Sequence, residues 1–119
     1  MTNAQRPKDP DNLTELEAVH FPQIDIINQK VGQKFVFRVR VGVTPHVMTP
    51  EHLIMWIEAF YGNRPVGKVF LKPHSASSGQ AGDEPKAEFT VAGKAGEKIK
   101  AYEFCNLHGL WVNEVDVNF

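Results

Sequence analysis

A single cysteine, Cys105, is all that the sequence offers, so no internal disulfide can form. The thiol either pairs with another chain, stays inert as a small hydrophobe, or acts as a nucleophile or metal ligand. Charge of one sign is also missing. Thirteen basic and 14 acidic residues leave a formal net charge of -1, without the basic excess of a nucleic-acid-binding surface. Long apolar runs are absent as well: the longest, around Leu53 to Ile57, is far too short to cross a bilayer. The opening segment "MTNAQRPKDPDN" has no apolar stretch of the secretory kind. These absences lead to the expectation of a soluble, cytoplasmic protein in a reducing compartment, where an unpaired thiol is ordinary.

What is present is enough for a core. A chain of 119 residues suits one domain that buries about two-thirds of the surface its unfolded form exposes, so neither crosslinks nor metal are needed to hold it together. Residues 1–14, polar and proline-bearing, read as a flexible arm, and residues 15–119 as the folded domain. The stretch "KFVFRVRVGV" sets Phe35, Phe37, Val39, Val41 and Val43 on one face and Arg38 and Arg40, with Val36, on the other. That alternation predicts a half-buried strand. "VGKVFLKP", "AEFTVA", "EKIKAYEF" and "LWVNEVDVNF" predict further strands, separated by the turn-rich "HSASSGQAGDEPK", "GKAG" and "NLHG". "EHLIMWIEAFYG" satisfies two periods at once. Leu53, Trp56, Ile57 and Phe60 recur at helical spacing, while Ile54, Trp56, Glu58 and Phe60 alternate; the strand-rich surroundings decide for a mostly buried central strand. Short strands punctuated by Gly, Pro and Asn predict an all-β antiparallel sandwich or barrel.

The chemistry-bearing side chains gather in the connections. His20 precedes Phe21 and Pro22, His46 and His52 bracket "VMTPE", and Cys105 and His108 flank "NL". His74, inside the polar "KPHSASSG", reads as a solvated histidine. Taken singly, each has an ordinary explanation: His20 as a turn residue, Cys105 as a buried hydrophobe, the His46 and His52 pair as coincidence. Jointly they point elsewhere, because loops at one end of a sandwich bring residues distant in sequence side by side. Imidazoles with one soft thiolate suit iron, copper, cobalt or zinc far better than magnesium or calcium.

In the same order along the chain, "HFP", "PHVMTPEHLIMWI" and "CNLHGLW", from His20 to Trp111, resemble the catalytic iron domain of superoxide reductases, the neelaredoxin and desulfoferrodoxin family. The resemblance implies a seven-stranded immunoglobulin-like β-sandwich with metal-ligand loops at one end. It implies one non-haem iron per chain, alternating between Fe2+ and Fe3+, with His20, His46, His52 and His108 as equatorial imidazoles and Cys105 as the axial thiolate. The implied activity is one-electron reduction of superoxide to hydrogen peroxide, with the electron restored by an external rubredoxin-like donor, in a homo-oligomer that is most simply a tetramer. There are no cysteines from which to build the four-cysteine module that some members carry, so the resemblance is to the one-iron type. A thiolate opposite an open position donates electron density through the metal, and N–H groups of the Asn106 to Gly109 turn would tune that donation. Trp56 and Trp111 read as core aromatics shielding the site, and Met48 and Met55 as packing residues.

The sequence also departs from the family pattern. Superoxide reductases commonly place Glu-Lys directly before the first histidine, the lysine to draw in superoxide and the glutamate to bind the open position; here Ala18 and Val19 stand there. Glu17, one residue further back, is left as the candidate sixth ligand, with Glu15 behind it, and steering is expected to be weaker. Val47 follows His46 where a proline is usual, while Pro45 and Pro50 stiffen that loop. Two other classes compete. A blue-copper-like electron carrier joins two His and one Cys with a weak axial Met, but no methionine follows His108 and a fourth histidine would be left without purpose. A non-catalytic sandwich module would keep the histidines structural and Cys105 buried, and would hold no stoichiometric metal.

Overall fold

The structure, a computed structural model, describes residues 4–30, 34–74, 82–93 and 96–117. Most of the "HSASSGQAGDEPK" loop, the centre of "GKAG" and the final "NF" lie outside the described residues. The chain runs through α1 (Glu15–His20), β1 (Pro22–Lys30), β2 (Lys34–Val41), β3 (Ile54–Tyr61), β4 (Arg64–Phe70), β5 (Lys86–Ala92), β6 (Lys98–Cys105) and β7 (Gly109–Asp116). The strands make two antiparallel sheets, β1-β2-β5 and β4-β3-β6-β7, which is the seven-stranded sandwich expected.

Alternation explains β2 directly. Phe35, Phe37, Val39 and Val41 are buried between the sheets, each worth about 1.5–3 kcal/mol of transfer free energy. Arg38 and Arg40 face outward and pair with Glu88 on β5 at 2.9 Å and Asp25 on β1 at 2.8 Å; such exposed pairs add little. Val43 does not continue the buried row. Gly42, at φ 89, turns the chain out of the sheet and leaves Val43 exposed, and a Cβ at Gly42 would run into the Thr44 carbonyl oxygen.

The double periodicity of "EHLIMWIEAFYG" has a structural cause. β3 is central, between β4 and β6, and its register with β6 shifts between Ile54 and Trp56. The bulge inserts Met55 as an extra residue, so Ile54 and Ile57 both face inward although three positions apart. Met55 is exposed and packs in no core. Trp56 also differs from expectation: it lies half-buried on the outer face, stacked on Phe104 with centroids 5.8 Å apart and with Lys68 Nζ 4.2 Å above its ring.

Two elements carry weak patterns. β1, "PQIDIINQK", has a register shift between Ile26 and Asn28 that breaks its alternation. α1 is only six residues long, too short to show a helical period. Its signal is the Thr14-x-x-Glu17 capping box, in which Thr14 Oγ1 accepts from the Glu17 N–H at 3.2 Å and Glu17 Oε1 accepts from the Thr14 N–H at 2.9 Å. The polar arm is tied down where Gln5 pairs in parallel with Trp111 on β7 and Arg6 pairs with Glu114. Among the described residues no helix is long and apolar enough to cross a membrane.

Candidate metal centre

The candidate donors come from the end of α1, the β2–β3 loop, the end of β6 and the β6–β7 turn. His20 closes α1, and its ring is fully buried. Its Nδ1 lies 2.7 Å from the Leu16 carbonyl oxygen one turn back, and its face stacks on Trp111 at 5.1 Å and 15°. Trp111 thus shields the site as expected. His46 sits in the loop between β2 and β3, its Nδ1 2.6 Å from the Val47 carbonyl oxygen. A carbonyl only accepts, so Nδ1 carries the hydrogen in both rings and Nε2 keeps a lone pair. These two Nε2 atoms face each other at 3.2 Å.

His52 ends the same loop on a tight turn, where the Thr49 N–H donates to the His52 carbonyl at 3.0 Å and the His52 N–H donates back at 3.2 Å. Cys105 is the last residue of β6 and is fully buried. Its Sγ lies 3.6 Å from His46 Nε2 and 3.7 Å from His108 Nδ1. The ligand atoms of His20, His46, His52 and Cys105 all lie within 4.8 Å of one another. His108 joins from the β6–β7 turn, exposed to solvent, its ring centroid 4.8 Å from that of His20 and 5.1 Å from that of His52.

Asn106, which sequence reasoning assigned only to the turn, joins the two ligand loops. Its Oδ1 accepts from the Leu53 N–H at 3.0 Å and its Nδ2 donates to the Glu51 carbonyl at 2.9 Å, one residue on each side of His52. Met48 is buried and accepts from the Ile54 N–H at 3.4 Å through its sulfur, a packing role. His74 is exposed, with Nε2 3.2 Å from the Asp83 carbonyl oxygen, away from the cluster. The Glu17 carboxylate is engaged at the start of α1 with the Thr14 N–H, and no contact joins it to the imidazoles among the described residues.

The electrostatics suit metal binding. Burial pushes His20, His46 and His52 below the ordinary imidazole value, His46 to about 4, with the neighbouring imidazoles adding repulsion. At neutral pH these rings are therefore neutral, the form that ligates. Burial pushes the Cys105 thiol up, against the opposing pull of the Leu107 and His108 backbone N–H groups that point at the sulfur. A nearby dication reverses that balance and makes the thiolate. The decisive fit is an orphan: His52 Nε2 is buried and has no hydrogen-bond partner among the described residues, a cost that a cation shared with the facing His20 and His46 nitrogens removes. Sequence reasoning missed Glu103, which is fully buried, with neither carboxylate oxygen partnered among the described residues and burial raising its pKa to about 9. Its inward position follows from the alternation of β6.

Neutral nitrogen donors around a single sulfur define a class, the β-sandwich proteins with a mononuclear site for a borderline transition metal. Residues 12–114 match the family model described as Desulfoferrodoxin, and the chain belongs to that family. It is 38% identical over 105 residues to the superoxide reductase of Pyrococcus abyssi, covering 82% of this chain and 86% of that one. Its fold superposes with a TM-score of 0.79 on a reduced superoxide reductase (neelaredoxin) variant from Archaeoglobus fulgidus, at 28% identity over 90% of this chain and 94% of that one. A superoxide reductase structure from Nanoarchaeum equitans gives 0.73 at 26% identity, covering 87% and 97%.

Proposed function

We propose that this chain is a superoxide reductase with one iron held by His20, His46, His52, His108 and Cys105. The observation that carries the reading is the convergence of three imidazole nitrogens and the Cys105 sulfur within 4.8 Å, in a family whose relatives bear that name. Iron bound there supplies the one-electron couple by which superoxide, with one electron and two protons, becomes hydrogen peroxide.

The chain's own residues set the conditions. Four neutral imidazoles add no charge, so Fe2+ with one thiolate keeps a formal site charge of about +1, attractive to a superoxide anion. Cys105 is sealed in the core while His108 and Leu107 are exposed, so a small anion arrives from the turn side. With Val19 in the position of the family's lysine, attraction rests on the site charge and protons come from water. Glu17 reaches a sixth position only by giving up its capping box, which costs about 1 kcal/mol.

The electron comes from an external rubredoxin-like donor, as the family resemblance implies. The chain works in the cytoplasm as a homo-oligomer, a tetramer, with residues 15–119 as the body of the iron domain and the N-terminal arm paired against β7; exposed apolar Phe70 and Val69 on β4 support association. The test is elemental mass spectrometry and visible spectroscopy on untagged, anaerobically purified protein, followed by superoxide consumption with oxygen evolution monitored. About one iron per chain, a red-absorbing thiolate band on oxidation and superoxide loss without oxygen release are expected. Copper, or no metal after reconstitution, refutes the reading.

A further inference from the structure

His108 is the one site imidazole exposed to solvent, so burial does little to hold it. His20 and His46 are each steered by a ring nitrogen bonded to a backbone carbonyl; for His108 the only ring-nitrogen contact in the described structure is with Cys105 itself. Its constraint comes through the main chain. The His108 carbonyl accepts two donors, the Gln5 side-chain amide at 2.6 Å and the Trp111 indole N–H at 3.3 Å. Together they fix the plane of the peptide between His108 and Gly109.

Gln5 is locked in place for this. Its own N–H donates to the Leu110 carbonyl at 2.8 Å, and its carbonyl accepts from the Val112 N–H at 3.1 Å, so residue 5 extends the four-stranded sheet beyond β7. Arg6, next along, pairs with Glu114 at 3.6 Å. Gly109 turns at φ 86, and a Cβ there would come 3.2 Å from Gln5 Nε2; the left-handed glycine leaves the space the amide fills.

We propose that Gln5 is a positioning residue for the metal centre, holding the His108–Gly109 peptide and through it the exposed imidazole. The N-terminal segment then belongs to the site. This inference rests on the reading of His108 as a ligand, and it has no bearing on superoxide chemistry.

The test uses full-length Gln5→Ala and Gln5→Glu loaded with Co2+. The glutamate variant keeps the length and the backbone pairing but loses the donor, so purely structural edge pairing predicts wild-type behaviour for it. Both variants are expected to release Co2+ to excess chelator roughly two- to tenfold faster, the loss expected for one hydrogen bond, with altered cobalt ligand-field bands and faster Gly109 amide exchange. Wild-type release rates and bands in both variants, whatever their melting temperatures, overturn the proposal. A wild-type chain that takes up no Co2+ overturns the metal-centre reading and this inference with it.

Discussion

The Nε2 atoms of His20 and His46 lie 3.2 Å apart while both Nδ1 atoms contact backbone carbonyls. Two lone pairs are thereby turned toward each other, and ligand atoms of His52 and Cys105 lie within 4.8 Å of the same cluster. A proton or a cation relieves that arrangement.

The proton alternative sets the pH behaviour of the metal-free chain. His46 titrates at about 4 against an ordinary 6.5, so between these values the unfolded state binds more protons and stability rises with pH. The contribution is fully present above about 6.5 and lost as pH falls towards about 4, of the order of 3 kcal/mol; His20 and His52 shift in the same direction. Urea unfolding of chelated protein across this range, with the His46→Asn curve subtracted, measures it. A flat difference curve refutes the prediction.

Cys105→Ser is expected to abolish the thiolate charge-transfer band and to weaken metal binding at least roughly tenfold. His74→Ala removes an exposed ring away from the donors, and its metal content and stability should stay within about 0.5 kcal/mol of wild type. Loss of metal in the second variant would mean that a ligand has been misassigned.

Val19→Lys places a cation beside the first imidazole, where the family has one. The rate with superoxide should rise at low salt and converge on wild type when the screening length falls to about 3 Å near 1 M ionic strength. Pulse radiolysis at two ionic strengths reads this, and a salt-independent gain defeats the steering account.

Glu103 offers a stability test. Its folded value of about 9 exceeds the ordinary 4.5 because of burial. The folded state therefore binds more protons in that interval, and stability falls as pH rises through it. Glu103→Gln keeps the shape without the ionisation, so its thermal midpoint relative to wild type should climb steadily from about pH 5 to about pH 9. A constant offset would show that the carboxylate is already partnered.

Six strands were legible, β2 nearly to its ends because one-sided burial imposes a period of two, and β3 only through its strand-rich surroundings. β1 and α1 were not. A register shift breaks the pattern of β1, and α1 is shorter than two turns; the Thr14-x-x-Glu17 box was its one readable sign. "CNLHGLW" and the His46 to His52 spacing singled out candidate donors in the sequence, of which His20, His46, His52 and Cys105 come together within 4.8 Å. The local engagement of the Glu17 carboxylate with the Thr14 N–H was readable only as the capping box. Asn106 as a clasp between loops and Gln5 as a brace on His108 left no local trace, for each acts on a backbone group far along the chain.

By itself the sequence determined which residues alternate into strands, which donor types are available, and that one soft sulfur is set among imidazoles. Only the tertiary structure decided that His20, His46, His52 and Cys105 share one point, that Trp56 faces outward, and that the arm reaches the site. Periodicity is a local property of the chain, whereas convergence depends on sheet register and bulges summed over long-range pairings.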